Sequence, residues 1–251
     1  MRNIKLVLAY DGKDFCGWQV QPDAPSIQGT LAAAIQRLTG EKVLPQGSGR
    51  TDAGVHALAQ VASFATACLI PIENFGKALN DILPSSIRVL EASEASAAFH
   101  ARKSAAGKTY RYRMYRGAVC PPFLARYVWH YPFPLDEAAM ADAAGAVSGK
   151  HDFTSFAAVD PERGRDEAVS SVRWVTASSW ERNADEFVYT VRGNGFLHHM
   201  VRNLVGTFLL VGKGTLKVSD ISRILEARNR SAAGATAPAS GLYLVSVDYG
   251  E

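Results

Sequence analysis

Cysteine is scarce in this 251-residue sequence: Cys16, Cys68 and Cys120 stand far apart, and no CxxC pair exists. An odd number of scattered thiols supports neither a disulfide framework nor a zinc cluster, and it fits a reducing cytoplasm. Long apolar runs are missing too. With no stretch of about eighteen apolar residues, no membrane-spanning helix is expected. Met1-Arg2-Asn3 leads straight into a strand-like segment, without the apolar core of a secretory leader. Net charge is low, at +3. That excess permits a nucleic-acid partner without requiring one. Acidic residues are absent altogether between positions 95 and 135.

What is present is a core-forming composition. A hydrophobic fraction of 47% suits one large or two small folded domains rather than a disordered chain. Residues 4–10 read as a buried strand closed by the turn signal Asp11-Gly12. Ser26 reads as the N-cap of a helix in which Ile27, Leu31, Ala34, Ile35 and Leu38 recur at helical spacing before Gly40 stops it. Strands are expected at 61–65, 87–91 and 109–116, and helices at 71–81, 135–149 and 196–211. Residues 172–180 and 186–192 form a hairpin pattern joined through 182–185, and 242–249 is a closing strand. Strands that come in pairs predict an α+β chain with antiparallel sheets, not a regular βαβ array. A boundary near residues 104–107 divides the chain into halves, 1–104 and 105–251, that share an order of elements.

Three segments carry chemistry. The first is Gly47-Ser48-Gly49-Arg50-Thr51-Asp52-Ala53-Gly54-Val55-His56. Its glycines let the backbone turn sharply and approach a ligand closely. No Gly-Lys-Ser/Thr follows, so it is not a phosphate loop. Nor is it a dinucleotide fingerprint, because Asp52 stands where the third glycine would be. What remains is an arginine and an aspartate two positions apart on a constrained loop. Arg50 can hold Asp52 ionised or bind a phosphate beside it. A purely structural aspartate in a glycine turn is the competing reading.

The second is the acid-free stretch. It holds Arg102, Lys103, Lys108, Arg111, Arg113, Arg116 and Arg126, interleaved with Phe99, Tyr110, Tyr112, Tyr115, Phe123, Tyr127, Trp129, Tyr131 and Phe133. Basic side chains meet phosphates, and aromatic faces stack on unpaired bases. In a strand, Tyr110, Tyr112 and Met114 share one face, and Arg111 and Arg113 share the other. A solvated basic face over a tyrosine core explains the same pattern without RNA.

The third is the apolar segment from Phe196 to Gly206, read as a helix. Leu197, Val201, Leu204 and Phe208 then form one stripe. Arg202 lies about 140° from Leu197 on the helical wheel, with His198 between them. Unpaired buried charge is costly, so Arg202 needs a partner, and a carboxylate such as Asp52 would serve. Snorkelling to water is the alternative. His198 and His199 would point apart on a helix, and no third ligand is nearby in sequence, so no metal is expected.

Together these segments resemble the tRNA pseudouridine synthase A family. Tyr10-Asp11-Gly12 and Gly17-Trp18-Gln19-Val20-Gln21 look like its opening, and Ser26-Ile27-Gln28-Gly29 is similar to its first helix start. Gly49-Arg50-Thr51-Asp52-Ala53-Gly54-Val55-His56-Ala57 matches its catalytic signature. Phe99-His100-Ala101-Arg102, Tyr110-Arg111-Tyr112, Asp152-Phe153-Thr154-Ser155-Phe156, Phe196-Leu197-His198-His199-Met200-Val201-Arg202-Asn203 and Gly241-Leu242-Tyr243-Leu244 follow in the family's order. The match runs over essentially the whole chain. Thr109 departs from it where a basic residue is common, and Ser240 where a polar or charged one is usual.

The resemblance implies the pseudouridine synthase fold: two similar α/β halves whose antiparallel sheets join into one long central sheet, with helices and loops around a central cleft. The half 1–104 would carry the aspartate loop, and 105–251 the basic aromatic strand and the Arg202 helix. Asp52 would be the catalytic aspartate. Tyr110 would stack on the target uracil, Arg202 would pair with Asp52, Arg50 would hold the flipped nucleotide, and Leu242 would line the base pocket. From the basic aromatic stretch alone, Arg102, Lys103 and Arg111 are expected to contact phosphates. The implied substrate is tRNA, at uridines 38, 39 and 40 of the anticodon stem-loop, and the implied assembly is a homodimer. No cofactor and no membrane partner are expected. Two other classes compete: an RNA-binding module, which would not need Arg50, Asp52 and Arg202 together, and a nucleoside hydrolase, which would want a second constrained carboxylate. Asp11 and Asp152 are the nearest candidates for the latter.

Overall fold

The computed structural model describes residues 1–159 and 170–250. The elements follow in the order β1 (Arg2–Tyr10), α1 (Ile27–Thr39), β2 (Gln46–Gly47), β3 (His56–Thr66), α2 (Ile72–Ile82), β4 (Ile87–Ala95) and β5 (Ala105–Tyr115). Then come β6 (Trp129–His130), α3 (Glu137–Gly145), β7 (Gly149–Asp152), β8 (Val172–Asn183), β9 (Glu186–Gly193), α4 (Met200–Gly212), α5 (Asp220–Ala227) and β10 (Leu242–Tyr249). The chain folds into two compact units, Met1–Lys108 with Tyr243–Glu251, and Thr109–Leu242.

In the first unit the strand order is β4-β1-β3-β10, with β2 added to β3. β1 runs antiparallel to both β3 and β4. Ile4, Leu6, Leu8 and Tyr10 are all buried, as alternation on a strand requires for one inward face. β10 lies parallel to β3, with Tyr243 opposite His56 and Leu244 opposite Ala57. α2 packs on β4, and α1 on α2. The ends of α1 are fixed locally. Ser26 Oγ accepts from the Gly29 N–H at 3.2 Å, and Gly40 closes the helix in the left-handed conformation at φ 78°.

In the second unit the order is β5-β9-β8-β7, with β6 parallel to β5. β8 and β9 form the expected hairpin, tightened to Ala184-Asp185 between Asn183 and Glu186. Tyr112 and Met114 are fully buried on the inward face of β5. Trp180 stacks on Phe187 with centroids 4.5 Å apart, and Tyr189 meets Phe208 edge-on at 5.3 Å. α3 packs on α4 and β8. Among the described pairings, β1–β3, β1–β4, β2–β3, β7–β8 and β8–β9 are antiparallel, as expected, and β3–β10 and β5–β6 are parallel.

Three local expectations change. The helix expected over 196–211 starts only at Met200, because His199 sits in the left-handed region at φ 58°. Wheel angles relating Leu197 and His198 to Arg202 therefore do not apply. The rings of His198 and His199 lie 4.0 Å apart rather than diverging. The helix expected over 135–149 stops at Gly145, and Gly149, at φ 107°, begins a short strand instead. Asp152 ends that strand and accepts from Thr154 Oγ1 at 2.6 Å.

Candidate active site

The loop between β2 and β3 is built by its anchors. Gly47 is paired with Ala62 across β2–β3, and Ser48 N–H donates to the Val61 carbonyl at 2.7 Å before the chain leaves the sheet. Trp18 N–H then donates to the Thr51 carbonyl at 3.0 Å. That approach needs Gly17: its φ is 105°, and a Cβ there would lie 2.5 Å from the Thr51 oxygen. The chain reverses at Gly54, whose φ is 76°, and Val55 N–H donates to the Asp52 carbonyl at 3.1 Å. Thr51 is buried between them, with its hydroxyl 2.9 Å from the Tyr10 hydroxyl. Burial pushes the Tyr10 phenol up to about 12, so it keeps its proton at neutral pH. Asp52 is half-buried and Arg50 is exposed. The backbone on both sides of Asp52 is thus pinned.

His56 follows the loop. Its Nδ1 accepts from the Gly12 N–H at 3.2 Å and lies 3.2 Å from Asp11 Oδ1, while the ring stacks on Tyr243 at 4.9 Å. Arg102 and Lys103, in the same unit, are exposed, and their backbone N–H groups donate to His100 Nδ1 at 3.1 and 3.4 Å.

The second unit carries the other sequence-predicted residues. Tyr110 is buried on β5, its ring edge-on to Phe196 with centroids 5.0 Å apart. Arg111 is exposed on the opposite face. Arg113 makes a bidentate pair with Glu186, at 2.7 and 2.6 Å, and Arg116 contacts Glu137 at 3.1 Å. Those two cations of the basic stretch are therefore engaged by carboxylates. Arg202 lies in the first turn of α4, half-buried, and its Nε donates to the Ala237 carbonyl at 2.8 Å. Tyr112 donates to the Pro238 carbonyl at 2.8 Å. Burial pushes its phenol well above the usual range, and the positive charge of Arg202 pulls part of that back. Leu242 opens β10 and is buried. No helix among the described residues is long and apolar enough to cross a membrane.

The sequence patterns assign no role to Tyr10, Ser48 and Gln60, which hold the aspartate loop through hydrogen bonds. The signal was there in Gln60, a glutamine in the middle of β3 between Ala59 and Val61.

A family model described as tRNA pseudouridine synthase matches residues 6–102 and 143–250. The chain belongs to the tRNA pseudouridine synthase family, and with it to the isomerases of the pseudouridine synthase fold. Among curated relatives, it is 52% identical over 249 residues to tRNA pseudouridine synthase A of Solibacter usitatus, covering 99% of this chain and 100% of that protein. It is 48% identical over 249 residues to tRNA pseudouridine synthase A of Moorella thermoacetica, covering 98% and 99%. The corresponding protein of Brevibacillus brevis is 46% identical over 249 residues, at 99% and 100% coverage.

Proposed function

We propose that this chain converts uridine to pseudouridine in the anticodon stem-loop of tRNA, at positions 38, 39 and 40, with Asp52 as its catalytic carboxylate. The observation that carries this reading is the loop itself. Asp52 sits in the matching signature, its neighbours are pinned by Trp18, Tyr10 and the β2–β3 pairing, and the residue itself is half-buried. Such preorganisation suits a group that must meet a substrate atom in one geometry.

The reaction is an isomerisation. The N1–C1′ bond of uridine breaks, the uracil turns, and a C5–C1′ bond forms. The proton leaves C5 and N1 gains one, so atoms and electrons balance with no oxidant, energy carrier or cofactor. A carboxylate can serve as nucleophile or as proton acceptor in this sequence. The target base must first leave its stack. Tyr110 offers the ring it stacks on, Arg50 the cation that holds its phosphate, Leu242 an apolar wall of the base pocket, and Arg202 a fixed positive charge. Arg102, Lys103 and Arg111 are exposed and suited to the tRNA backbone. A homodimer working in the cytoplasm belongs to the same proposal, by analogy with the family.

Isotope release from tRNA carrying tritium at C5 of uracil tests it. Release without free uracil is the expected result. Free uracil would show a hydrolase instead, and tRNA binding with neither product would show an RNA-binding module.

A further inference from the structure

We propose that Gln60 is the positioning residue of the aspartate loop: its buried side-chain amide, acting through Ser48, Gly49, Tyr10 and Thr51, sets the backbone from which Asp52 projects. The inference rests on the assignment of Asp52 as the catalytic carboxylate.

Gln60 lies on β3 with no exposure at all. A primary amide can accept two hydrogen bonds and donate two. Here all four positions are filled. Oε1 accepts from Ser48 Oγ at 2.6 Å and from the Val61 N–H at 3.1 Å. Nε2 donates to the Gly49 carbonyl at 3.0 Å and, more loosely, to the Tyr10 hydroxyl at 3.4 Å. The orientation of the amide is settled by its neighbours, because a backbone N–H can only donate and a carbonyl can only accept. The Tyr10 hydroxyl, accepting from Gln60, is in turn hydrogen-bonded to Thr51 Oγ1, 2.9 Å away.

One amide therefore reaches three of the four residues that precede Asp52. It holds the Ser48 side chain, the Gly49 carbonyl and, through Tyr10, the Thr51 side chain. The Ser48 carbonyl is held in turn by Lys108 Nζ at 2.7 Å. Ser48, Thr51 and Tyr10 are buried with it, and Arg50 is the exposed residue of the run. Val61, Ala62 and Phe64 fill the same strand with apolar groups, beside the smaller buried hydroxyls of Ser63 and Thr66. An apolar side chain at 60 would pack there but would leave the Val61 N–H, the Ser48 hydroxyl and the Gly49 carbonyl without this partner. A buried network in which every group is satisfied holds its members in one arrangement. The arrangement held here is that of the loop.

The test uses the full-length protein with Tyr10→Phe, Thr51→Val, Thr51→Ser, Gln60→Met and, in parallel, Asp52→Asn. Three quantities are read: the single-turnover rate of pseudouridine formation at saturating tRNA, the Kd for tRNA, and the thermal midpoint. Misplacing a reacting group by about 1 Å lowers the rate by roughly 10²-fold. Gln60→Met should fall by about that factor, and Tyr10→Phe and Thr51→Val by about tenfold, with Kd within about twofold of wild type. Thr51→Ser keeps the hydroxyl and should return most of the rate. Should Gln60→Met fail to fold, Tyr10→Phe and the Thr51 pair decide the matter. Folded Tyr10→Phe and Thr51→Val proteins with wild-type rates, beside an inactive Asp52→Asn, would overturn the positioning role alone. A rate loss matched by an equal loss of tRNA affinity would overturn it as well. An active Asp52→Asn would remove the reading on which the role rests.

Discussion

Arg202 and Ala237 hold each other through a reciprocal pair of hydrogen bonds: Arg202 Nε donates to the Ala237 carbonyl at 2.8 Å, and Ala237 N–H donates to the Arg202 carbonyl at 3.1 Å. The strap that carries Ala237 lies close on α4, for a Cβ at Gly206 would fall 1.7 Å from the Ala235 oxygen. The guanidinium is thus aimed by its own backbone neighbourhood. Lysine keeps the charge but lacks both the Nε donor and the planar fork. A hydrogen bond to a charged group is worth about 1.5–3 kcal/mol, or roughly ten- to hundredfold in rate. Arg202→Lys should lose about that much kcat/KM, and Arg202→Met more. Steady-state kinetics on tRNA decide it, and a lysine variant with full activity would show that charge alone matters.

Tyr110 is held by an edge-on contact with Phe196 at 5.0 Å, so its ring is oriented by the protein itself. Stacking on an aromatic ring is worth about 1–3 kcal/mol per base. Tyr110→Phe should keep that contribution and Tyr110→Leu should lose it, seen as weaker binding and slower turnover of tRNA. If the hydroxyl also handles the C5 proton, Tyr110→Phe will accumulate a base-transferred intermediate that still carries its C5 tritium. Equal activity of the phenylalanine and leucine variants would remove the stacking role.

How much of this was legible in the sequence depended on the range of the interaction. The start and end of α1 were readable because Ser26 and Gly40 act on their own neighbours. So was the inward face of β5, since Tyr110, Tyr112 and Met114 alternate. The start of α4 was misread because apolar spacing continues through Leu197, while the break comes from the backbone of His199 at φ 58°. α5 went unforeseen, although Ile221, Ile224 and Leu225 carry a short helical stripe. Long-range partners left no local trace. Glu186 engages Arg113 from 73 positions away, and β10 returns from the far end of the chain to lie parallel to β3. In the candidate site, the glycine signature exposed Asp52 and Arg50, but the network beneath them joins Tyr10, Gln60 and Thr51 across some fifty positions.

Exposure separates the cations of the basic stretch. Arg113 and Arg116 are engaged by Glu186 and Glu137, whereas Arg102, Lys103 and Arg111 face solvent. Neutralising any one of these three should lower the slope of log affinity against log salt by about one unit. Arg113→Gln should change stability more than that slope. Titration of tRNA binding across salt concentrations checks both statements. Unchanged slopes for all three exposed residues would put the tRNA path elsewhere.

Asp152 gives a prediction about pH. The hydrogen bonds from Thr154, aided by Arg228 at 3.3 Å, hold its carboxyl below the ordinary range. A depressed folded-state value contributes stability that is present above the unfolded-state value of about 3.9 and is lost as pH falls through the folded-state value. Wild type should therefore melt above Asp152→Asn at neutral pH, and the gap should close as pH drops below about 4. Thermal melts of the two proteins across pH check this, and a constant gap would show that the charge contributes nothing.

The central claim is that Asp52 performs chemistry and is not merely part of a turn. Its side chain is half-buried on a backbone fixed from both sides, so replacing the carboxylate should leave the loop and tRNA binding intact. The direct measurement is pseudouridine formed in tRNA by Asp52→Asn and Asp52→Ala under single turnover, with the Kd for tRNA measured on the same preparations. No detectable pseudouridine with a Kd within about threefold of wild type is the predicted result, because the proposed phosphate contacts of Arg102, Lys103 and Arg111 do not involve Asp52. Normal turnover by Asp52→Ala would contradict it.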